Sequence, residues 1–299
     1  MNLTLFKEKV NLQEDIKDRK HYIGGSDVAT IMGLNPWKSA YTLWAQKCGL
    51  IEEENLDDVE AVWWGQQEEE LIAKRFTMKT DLKVRKSNYA YQCLEYPFLR
   101  AHIDRIATTK DFGLECKTTS AYNHTDFENG EVPIMHYWQC QFYMAMTGCQ
   151  YWYLATKRNN DEFHILQIDR DEEDIDTMLE HCAEFWNNVQ TGEPPKIDGS
   201  YSTTETLKEL YNVEASEYEI VDLQAVESEL DAIKAIKQQI KGLEERKTMY
   251  ENTVKTLLKE QPYGESDTYK VSWKTNAKGT RMFKITEKKK EEDLNSDRN

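Results

Sequence analysis

The hydrophobic positions change period several times along the chain, and each change marks an element. Residues 1–18 are mixed and polar and predict a loosely ordered lead-in. In Arg19-Lys20-His21-Tyr22-Ile23-Gly24-Gly25-Ser26-Asp27, Ser26 or Asp27 can cap a short helix of small apolar residues ending at Gly33. Asn35-Pro36-Trp37 predicts a turn. Ser39 then caps a second helix carrying Tyr41, Leu43, Trp44 and Cys48, stopped by Gly49. An acidic loop over 52–60 leads to a longer helix over 62–76 with Leu71, Ile72 and Phe76 as its apolar stripe. Weak alternation predicts strands over 82–91 and 94–99, followed by strands over 101–107 and 112–118. Residues 135–148 form an amphipathic helix closed by Gly148. Strands over 151–155 and 163–168 flank a turn at Asn159-Asn160, and a helix from about Glu172 to Val189 runs into Gly192-Glu193-Pro194-Pro195.

The two prolines and the polar stretch to about 205 predict a domain boundary, giving an α/β core over 1–195 and an extension over 205–299. In the extension, Leu223, Val226, Leu230, Ile233, Ile240, Leu243, Tyr250, Val254 and Leu257 recur mostly at three- and four-residue steps. That spacing predicts a long amphipathic helix or a helical hairpin. After Pro262-Tyr263-Gly264, strands over 269–273 and 282–285 flank an Asn276-Ala277-Lys278-Gly279 turn, and the charged tail from Lys288 reads as disordered. Tyr137, Trp138, Phe142 and Tyr143 read as core rather than as stacking platforms.

Composition narrows the functional classes. A chain of 299 residues with 39% apolar content can bury a large core. Neither a secretory signal nor a membrane-spanning run is visible, and the six cysteines (48, 93, 116, 140, 149, 182) lack the paired spacing of zinc or iron–sulfur sites. Scattered, reduced cysteines without an export signal point to the cytoplasm. A net charge of −16 argues against a general DNA coater. Screening confines charge to about 8–10 Å, however, so an acidic exterior is compatible with a local basic groove.

Within this frame one stretch carries chemistry. Gly113-Leu114-Glu115-Cys116-Lys117-Thr118 follows Ala101-His102-Ile103-Asp104-Arg105, and alternation on a strand sends Glu115 and Lys117 to one face and Cys116 to the other. If Asp104 ends or follows the neighbouring strand, two carboxylates and an ammonium converge. Paired carboxylates repel and call for a counter-charge, and hard oxygen donors select Mg²⁺. Lys117 beside such an ion could position or deprotonate a water for attack on a phosphodiester. A surface ion pair on an edge strand would use the same residues, but apolar Phe98, Leu99, Ala101 and Leu114 place these strands in partly buried surroundings, where unpaired charge is costly.

These motifs resemble, in order, those of the lambda-exonuclease and YqaJ branch of the PD-(D/E)xK nucleases, over residues 19 to about 190. Arg19 to Asp27 resembles the N-terminal basic, Gly/Ser-rich segment, and Trp64-Gly65-Gln66-Gln67-Glu68-Glu69 resembles the Gly-x-x-x-Glu helix. Asp104 with Glu115-x-Lys117 matches the catalytic signature, and Gln139-Cys140-Gln141 the Gln-x-Gln helix. Ile103 stands where the signature's nominal proline would be.

The resemblance implies a restriction-endonuclease-like α/β core with a central mixed β-sheet flanked by helices, carrying a C-terminal helical and β-hairpin extension. It implies metal ligation by Asp104, Glu115, Glu69 and the Cys116 backbone carbonyl, with Mg²⁺ as the ion and Mn²⁺ as a substitute, and catalysis with Lys117. Gln139 would hold the attacking water or a phosphate oxygen, a buried structural amide being the competing role. Arg19 and Ser26 would bind a terminal 5′-phosphate, by charge and by hydroxyl plus helix N-terminus, and Gln141 would join the DNA-binding set.

The implied activity is 5′-to-3′ digestion of linear double-stranded DNA to leave 3′ single strands for phage-type recombination. The enzyme would work as a homo-oligomer, by analogy a ring-shaped trimer, in the cytoplasm of a bacterial cell from a phage or prophage gene. It would hand the strand to a single-strand annealing recombinase. Two rivals stand beside this reading. One is a site- or structure-specific endonuclease on the same core. The other is a non-catalytic interaction protein acting through its coiled C-terminal region.

Overall fold

The structure, a computed structural model, describes residues 3–11, 14–15, 18–53, 55, 58–119, 130–159, 162–212 and 219–288. The expected disordered tail, all but its first residue, lies outside these, as does Asn160 of the expected turn. The chain divides into two units, Met1–Glu214 and Ala215–Asn299. Among the described residues no helix is long and apolar enough to cross a membrane.

The first unit is built on a five-stranded mixed sheet. It comprises β2 (Val84–Lys86), β5 (Arg105–Ala107), β6 (Phe112–Thr119), β7 (Tyr151–Arg158) and β8 (Glu162–Asp169), in the order β2-β5-β6-β7-β8. Only the central pair, β6 and β7, is parallel among these neighbours. A smaller sheet joins β1 (Leu5–Lys9), β3 (Tyr89–Cys93) and β4 (Ala101–His102) in the order β1-β3-β4. The strand β1 lies where a loose lead-in was expected. All five of its residues are exposed, so no alternation marks it, and it exists by pairing with β3 from Leu5↔Cys93 to Lys9↔Tyr89. Residues 94–99 are a turn and an isolated bridge from Leu99 to Ile23 rather than a strand.

Alternation along β6 and β7 divides the core between two layers. Phe112, Leu114 and Ala155 pack with Ile72, Ala73 and Phe76 of α3 (Glu60–Thr80) on one face of the sheet. On the other face Trp152 and Leu154 join a larger cluster with α1 (Gly25–Ile31), α2 (Ala40–Lys47), α4 (Ile134–Thr147) and α5 (Glu172–Thr191). Trp138, Phe142 and Tyr143 of α4 are buried in that cluster, as expected of core residues. A Cβ on Gly113 would stand 2.1 Å from the buried Trp152 ring, so the strand approaches the indole only because this residue is glycine.

The boundary read at Pro194-Pro195 is followed by α6 (Tyr201–Leu210), which straddles residue 205. Its hydroxyls hold it to the first unit. Thr203 Oγ1 donates to Ser39 Oγ at 2.8 Å, and the Thr206 and Thr42 hydroxyls lie 2.8 Å apart.

In the second unit the helical pattern is a single helix, α7 (Glu227–Leu258), rather than a hairpin. An antiparallel sheet of β9 (Tyr263–Glu265), β10 (Tyr269–Thr275) and β11 (Arg281–Glu287) follows in the order β11-β10-β9. A Cβ on Gly264 would lie 2.6 Å from Leu258, so β9 sits directly on the last turn of the helix.

Candidate active site

Asp104 stands between β4 and β5, where Ile103 and Asp104 interrupt the expected single strand over 101–107. Its Oδ2 accepts the backbone N–H of Cys116 at 2.8 Å, which fixes the carboxylate against the middle of β6. Glu115 and Lys117 share a face, as alternation requires, and Lys117 Nζ lies 2.6 Å from Glu115 Oε1. From α4, Gln139 Nε2 donates to that same oxygen at 2.9 Å and to the Tyr143 hydroxyl at 2.7 Å. Asp104, Glu115, Lys117 and Gln139 are therefore brought together from three elements. Gln139 is buried in these contacts.

The electrostatics of this cluster are unbalanced. Glu115 is buried with only 2% exposure, and its Oε2 has no hydrogen-bond partner among the described residues. Burial, and then the neighbouring Glu115, push the Asp104 carboxyl well above the ordinary carboxylate range. Burial alone would depress the Lys117 ammonium, but Glu115 and Asp104 outweigh it and raise its pKa, holding it charged against the two carboxylates. Nearby, burial and then the Lys117 charge lower His136 to about 3, which keeps that imidazole neutral. An orphaned buried carboxylate oxygen beside a second strained carboxylate fits a hard divalent cation.

Glu69 is not part of this convergence. Arg105, buried and register-paired with Leu114, belongs to the α3 side of the sheet, where its guanidinium binds Glu69 and also Glu70 at 2.7 Å. A buried guanidinium needs a counter-charge, and α3 supplies it. The Arg105 Nη1 that binds Glu69 also donates to the Asp104 carbonyl at 2.8 Å, and the Glu69 charge helps to raise the Asp104 pKa. Accordingly, among the described residues no three His, Cys, Asp or Glu side chains gather as a ready-made metal-holding group. Gly65, one turn earlier, lies against β6, its Cβ position facing Thr118 at 3.5 Å.

Arg19 and Ser26 do meet. Arg19 Nη2 donates to Ser26 Oγ and to Asp27 Oδ1, each at 3.1 Å. Both line a cavity of about 150 Å³ that also touches Arg100, His102, Gln139 and Tyr143. The cavity thus borders the carboxylate cluster through Gln139. Its scaffold was not foreseen from the sequence. Lys47 Nζ, fully buried, donates to Asp27 Oδ2 at 2.9 Å and to the carbonyls of Arg19 and Tyr22 at 2.6 and 2.7 Å. Burial would raise the Asp27 pKa, but Lys47 and Arg19 overcome it and hold the group below its ordinary value. Asp15 similarly anchors Arg100 at 2.6 Å and His102 at 2.5 Å. An arginine and a histidine at alternating positions 100 and 102, just before Asp104, were the available signal.

Gln141 lies elsewhere. Two residues from Gln139 on a helix it points to a different face. There it is fully buried, donating to the Asp169 carbonyl at 2.8 Å and accepting from the Asp171 N–H at 3.1 Å. It fastens the start of α5 and does not face the cavity.

Comparison with known proteins follows this geometry. A family model described as the YqaJ-like viral recombinase domain matches residues 16–150. The "Uncharacterized protein YqaJ" of Bacillus subtilis (strain 168) is 34% identical over 270 residues, which are 89% of this chain and 84% of that one. Among solved structures, the alkaline exonuclease LHK-Exo from Laribacter hongkongensis matches with a TM-score of 0.51 at 18% identity, covering 60% of this chain and 94% of that chain. LHK-Exo in complex with dAMP gives a TM-score of 0.52 at 18% identity, with coverage of 66% and 96%. The central mixed sheet flanked by helices is therefore the restriction-endonuclease-like fold of these exonucleases.

Proposed function

We propose that this chain, which belongs to the YqaJ-like viral recombinase family, is a Mg²⁺-dependent exonuclease that digests linear double-stranded DNA from its 5′ ends. The observation that carries the reading is the meeting of Asp104, Glu115 and Lys117 around a buried carboxylate oxygen with no hydrogen-bond partner among the described residues. Asp104 and Glu115, with the Cys116 backbone carbonyl, would hold the cation, and Glu69 adds negative charge from the α3 side. The bound ion would act as a Lewis acid and lower the pKa of a water. Lys117, as a fixed ammonium, orients the attacking water and offsets the charge that develops on the phosphate. Gln139 holds Glu115 in place and presents its amide to the neighbouring cavity.

That cavity supports the 5′ polarity. Arg19, Arg100 and the Ser26 hydroxyl give it the donors that a terminal phosphate requires. Its junction with the carboxylate cluster at Gln139 suits removal of one nucleotide at a time, and LHK-Exo has been crystallised with a mononucleotide, dAMP. The product would be a 3′ single strand, passed to a single-strand annealing recombinase. The working form would be a ring-shaped trimer that encloses DNA, with Mn²⁺ able to replace Mg²⁺, in a bacterial cell carrying a phage or prophage.

The test is a linear duplex labelled at the 5′ or the 3′ end, incubated with Mg²⁺ and with chelator. Rapid release of the 5′ label as a mononucleotide, abolished by chelator, is the expected result. Internal cutting of a closed circle, or first release of the 3′ label, would overturn the reading.

A further inference from the structure

The three-stranded sheet of the second unit has two unlike faces. Register pairs Val271 with Ile285 and Trp273 with Phe283, and Val271, Trp273 and Phe283 are half-buried. Lys255 of α7 lies over the Phe283 ring at 4.9 Å, so this face is the one turned to the helix. Arg281 belongs to it as well. Its guanidinium lies 3.8 Å from the Trp273 ring centroid, and it donates to the Lys259, Glu260 and Gln261 carbonyls just beyond the helix end. Arg281 thus closes the C-terminus of α7.

The opposite face carries Lys270, Lys274 and Lys284, all exposed, with Ser272, Met282 and Thr286 between them. From β9 it receives Tyr263, opposite Ser272, and Glu265, opposite Lys270. Lys288 neutralises Glu265 at 3.2 Å, leaving the three lysines without an acidic partner among the described residues of their own face. Over residues 262–288 six basic residues meet three acidic ones, in a chain whose net charge is −16. A confined basic face on so acidic a protein is a matched surface for a polyanion.

We propose that this outer face, through Lys270, Lys274 and Lys284, binds the phosphate backbone of duplex DNA without reading its bases. The proposal rests on the reading that the chain acts on DNA. Lys270 and Lys274 stand four residues apart on one strand, about 13 Å, close to four base-pair rises of about 3.4 Å. Lys284 lies on the neighbouring strand opposite Ser272, midway between them. Among the described residues of this face no Arg, Asn or Gln is available for bidentate base contacts. Its aromatic residue, Tyr263, lies beside Lys274, whose Nζ lies 3.4 Å from the phenol oxygen and 5.6 Å from the ring centroid. A face with a single ring among three lysines fits a paired backbone better than splayed single-stranded bases, which need successive stacking platforms.

The experiment measures binding of the full chain to a fluorescent duplex in chelator, by anisotropy across a salt series, with hydrolysis in Mg²⁺ followed in parallel. For the variant Lys270→Ala/Lys274→Ala/Lys284→Ala, the slope of log K against log[salt] should become shallower by about 2.7, since each phosphate contact contributes about 0.9. Affinity near 0.1 M salt should fall at least tenfold. A control variant on α7, Lys234→Ala/Lys237→Ala/Lys241→Ala, should leave both within threefold of the wild type. If the triple variant does not fold, Lys284→Gln alone should lower the slope by about 0.9.

An unchanged slope in a folded variant overturns the proposal, as does an equal loss in the α7 control. It also fails if a single strand loses more affinity than the duplex. A wild type that digests duplex normally while the sheet variant binds as the wild type does sinks this inference alone. A wild type that neither binds nor digests duplex sinks the proposed function with it.

Discussion

Replacing Asp104 by asparagine should make the metal-free protein more stable while removing its response to Mg²⁺. The asparagine amide keeps an oxygen to accept the Cys116 N–H, now met at 2.8 Å, and removes the charge that faces Glu115 and Glu69. The gain corresponds to relieving a second buried carboxylate charge beyond the one that Lys117 offsets, about 1–3 kcal/mol. For a domain of this size that is about 2–12 °C in Tm. The sign of the pH dependence follows from the raised Asp104 pKa. The folded state holds this proton more tightly than the unfolded chain. Its stability contribution is therefore complete below the unfolded pKa of about 3.9 and is lost as pH rises through the folded value.

The advantage of the variant should accordingly vanish toward pH 4 and grow as pH rises toward the raised folded value. With free Mg²⁺ at about one hundred times its Kd, the wild type gains about 2.7 kcal/mol and the variant much less. Thermal melts by fluorescence at pH 4, 6 and 8, with chelator and with Mg²⁺, read all of this, Trp138 and Trp152 being buried reporters in the same unit. A variant that melts below the wild type in chelator at pH 8, or that gains as much from Mg²⁺, would refute the account of an uncompensated carboxylate pair.

Asp104→Ala, Glu115→Ala and Lys117→Ala should each lower duplex hydrolysis by about 10²-fold or more in a folded protein. Activity within tenfold of wild type in all three would remove the cluster from the chemistry. Arg19→Ala should erase most of the preference for 5′-phosphorylated over 5′-hydroxyl duplex, a charge-assisted contact of about 1.5–3 kcal/mol, and equal wild-type rates on both ends would contradict the phosphate cavity. Gly113→Ala should destabilise by about 3 kcal/mol or more, because the new methyl meets Trp152 at 2.1 Å. Trp152→Leu in the same chain should recover part of the loss, and a Gly113→Ala melt unchanged within 2 °C, about half a kcal/mol or more at this size, would show that the strand can shift freely. A chain ending at Thr204 should melt lower than one ending at Glu214, since it loses Thr206 and half of α6. Equal melts would mean that the hydroxyl contacts to Thr42 hold nothing.

The parts of the fold that were legible are those where one face is wet and the other dry. The strand β6 alternates between α3 and α4, and the helices α4 and α5 end at Gly148 and Gly192 with positive φ, where glycine is the natural stop. The strand β1 and the helix α6 escaped because their reasons are not periodic. The strand exists by edge pairing with β3, and the helix is held by hydroxyl contacts to Ser39 and Thr42, more than 150 residues away in sequence.

The site divides along the same line. Asp104, Glu115 and Lys117 were legible because two local rules, strand alternation and strand adjacency, suffice to bring them together. The contacts of Glu69 and Gln141 were not legible because they depend on partners that no local rule supplies. Arg105 comes from β5 with a charge that must be neutralised on the α3 side, and it takes Glu69. The Asp171 side chain caps the first N–H groups of α5, while the Asp171 N–H and the Asp169 carbonyl just before the helix need partners of their own, and Gln141 supplies them with both ends of its amide. Lys47 went unnoticed for the converse reason, because a lysine on an otherwise apolar helix face reads as a surface residue until Asp27 is seen opposite it. In each case the burial of one charged or polar group determines what its neighbour does. A motif can name the residues of this site, but which of them face one another depends on how the charges buried around them are paired.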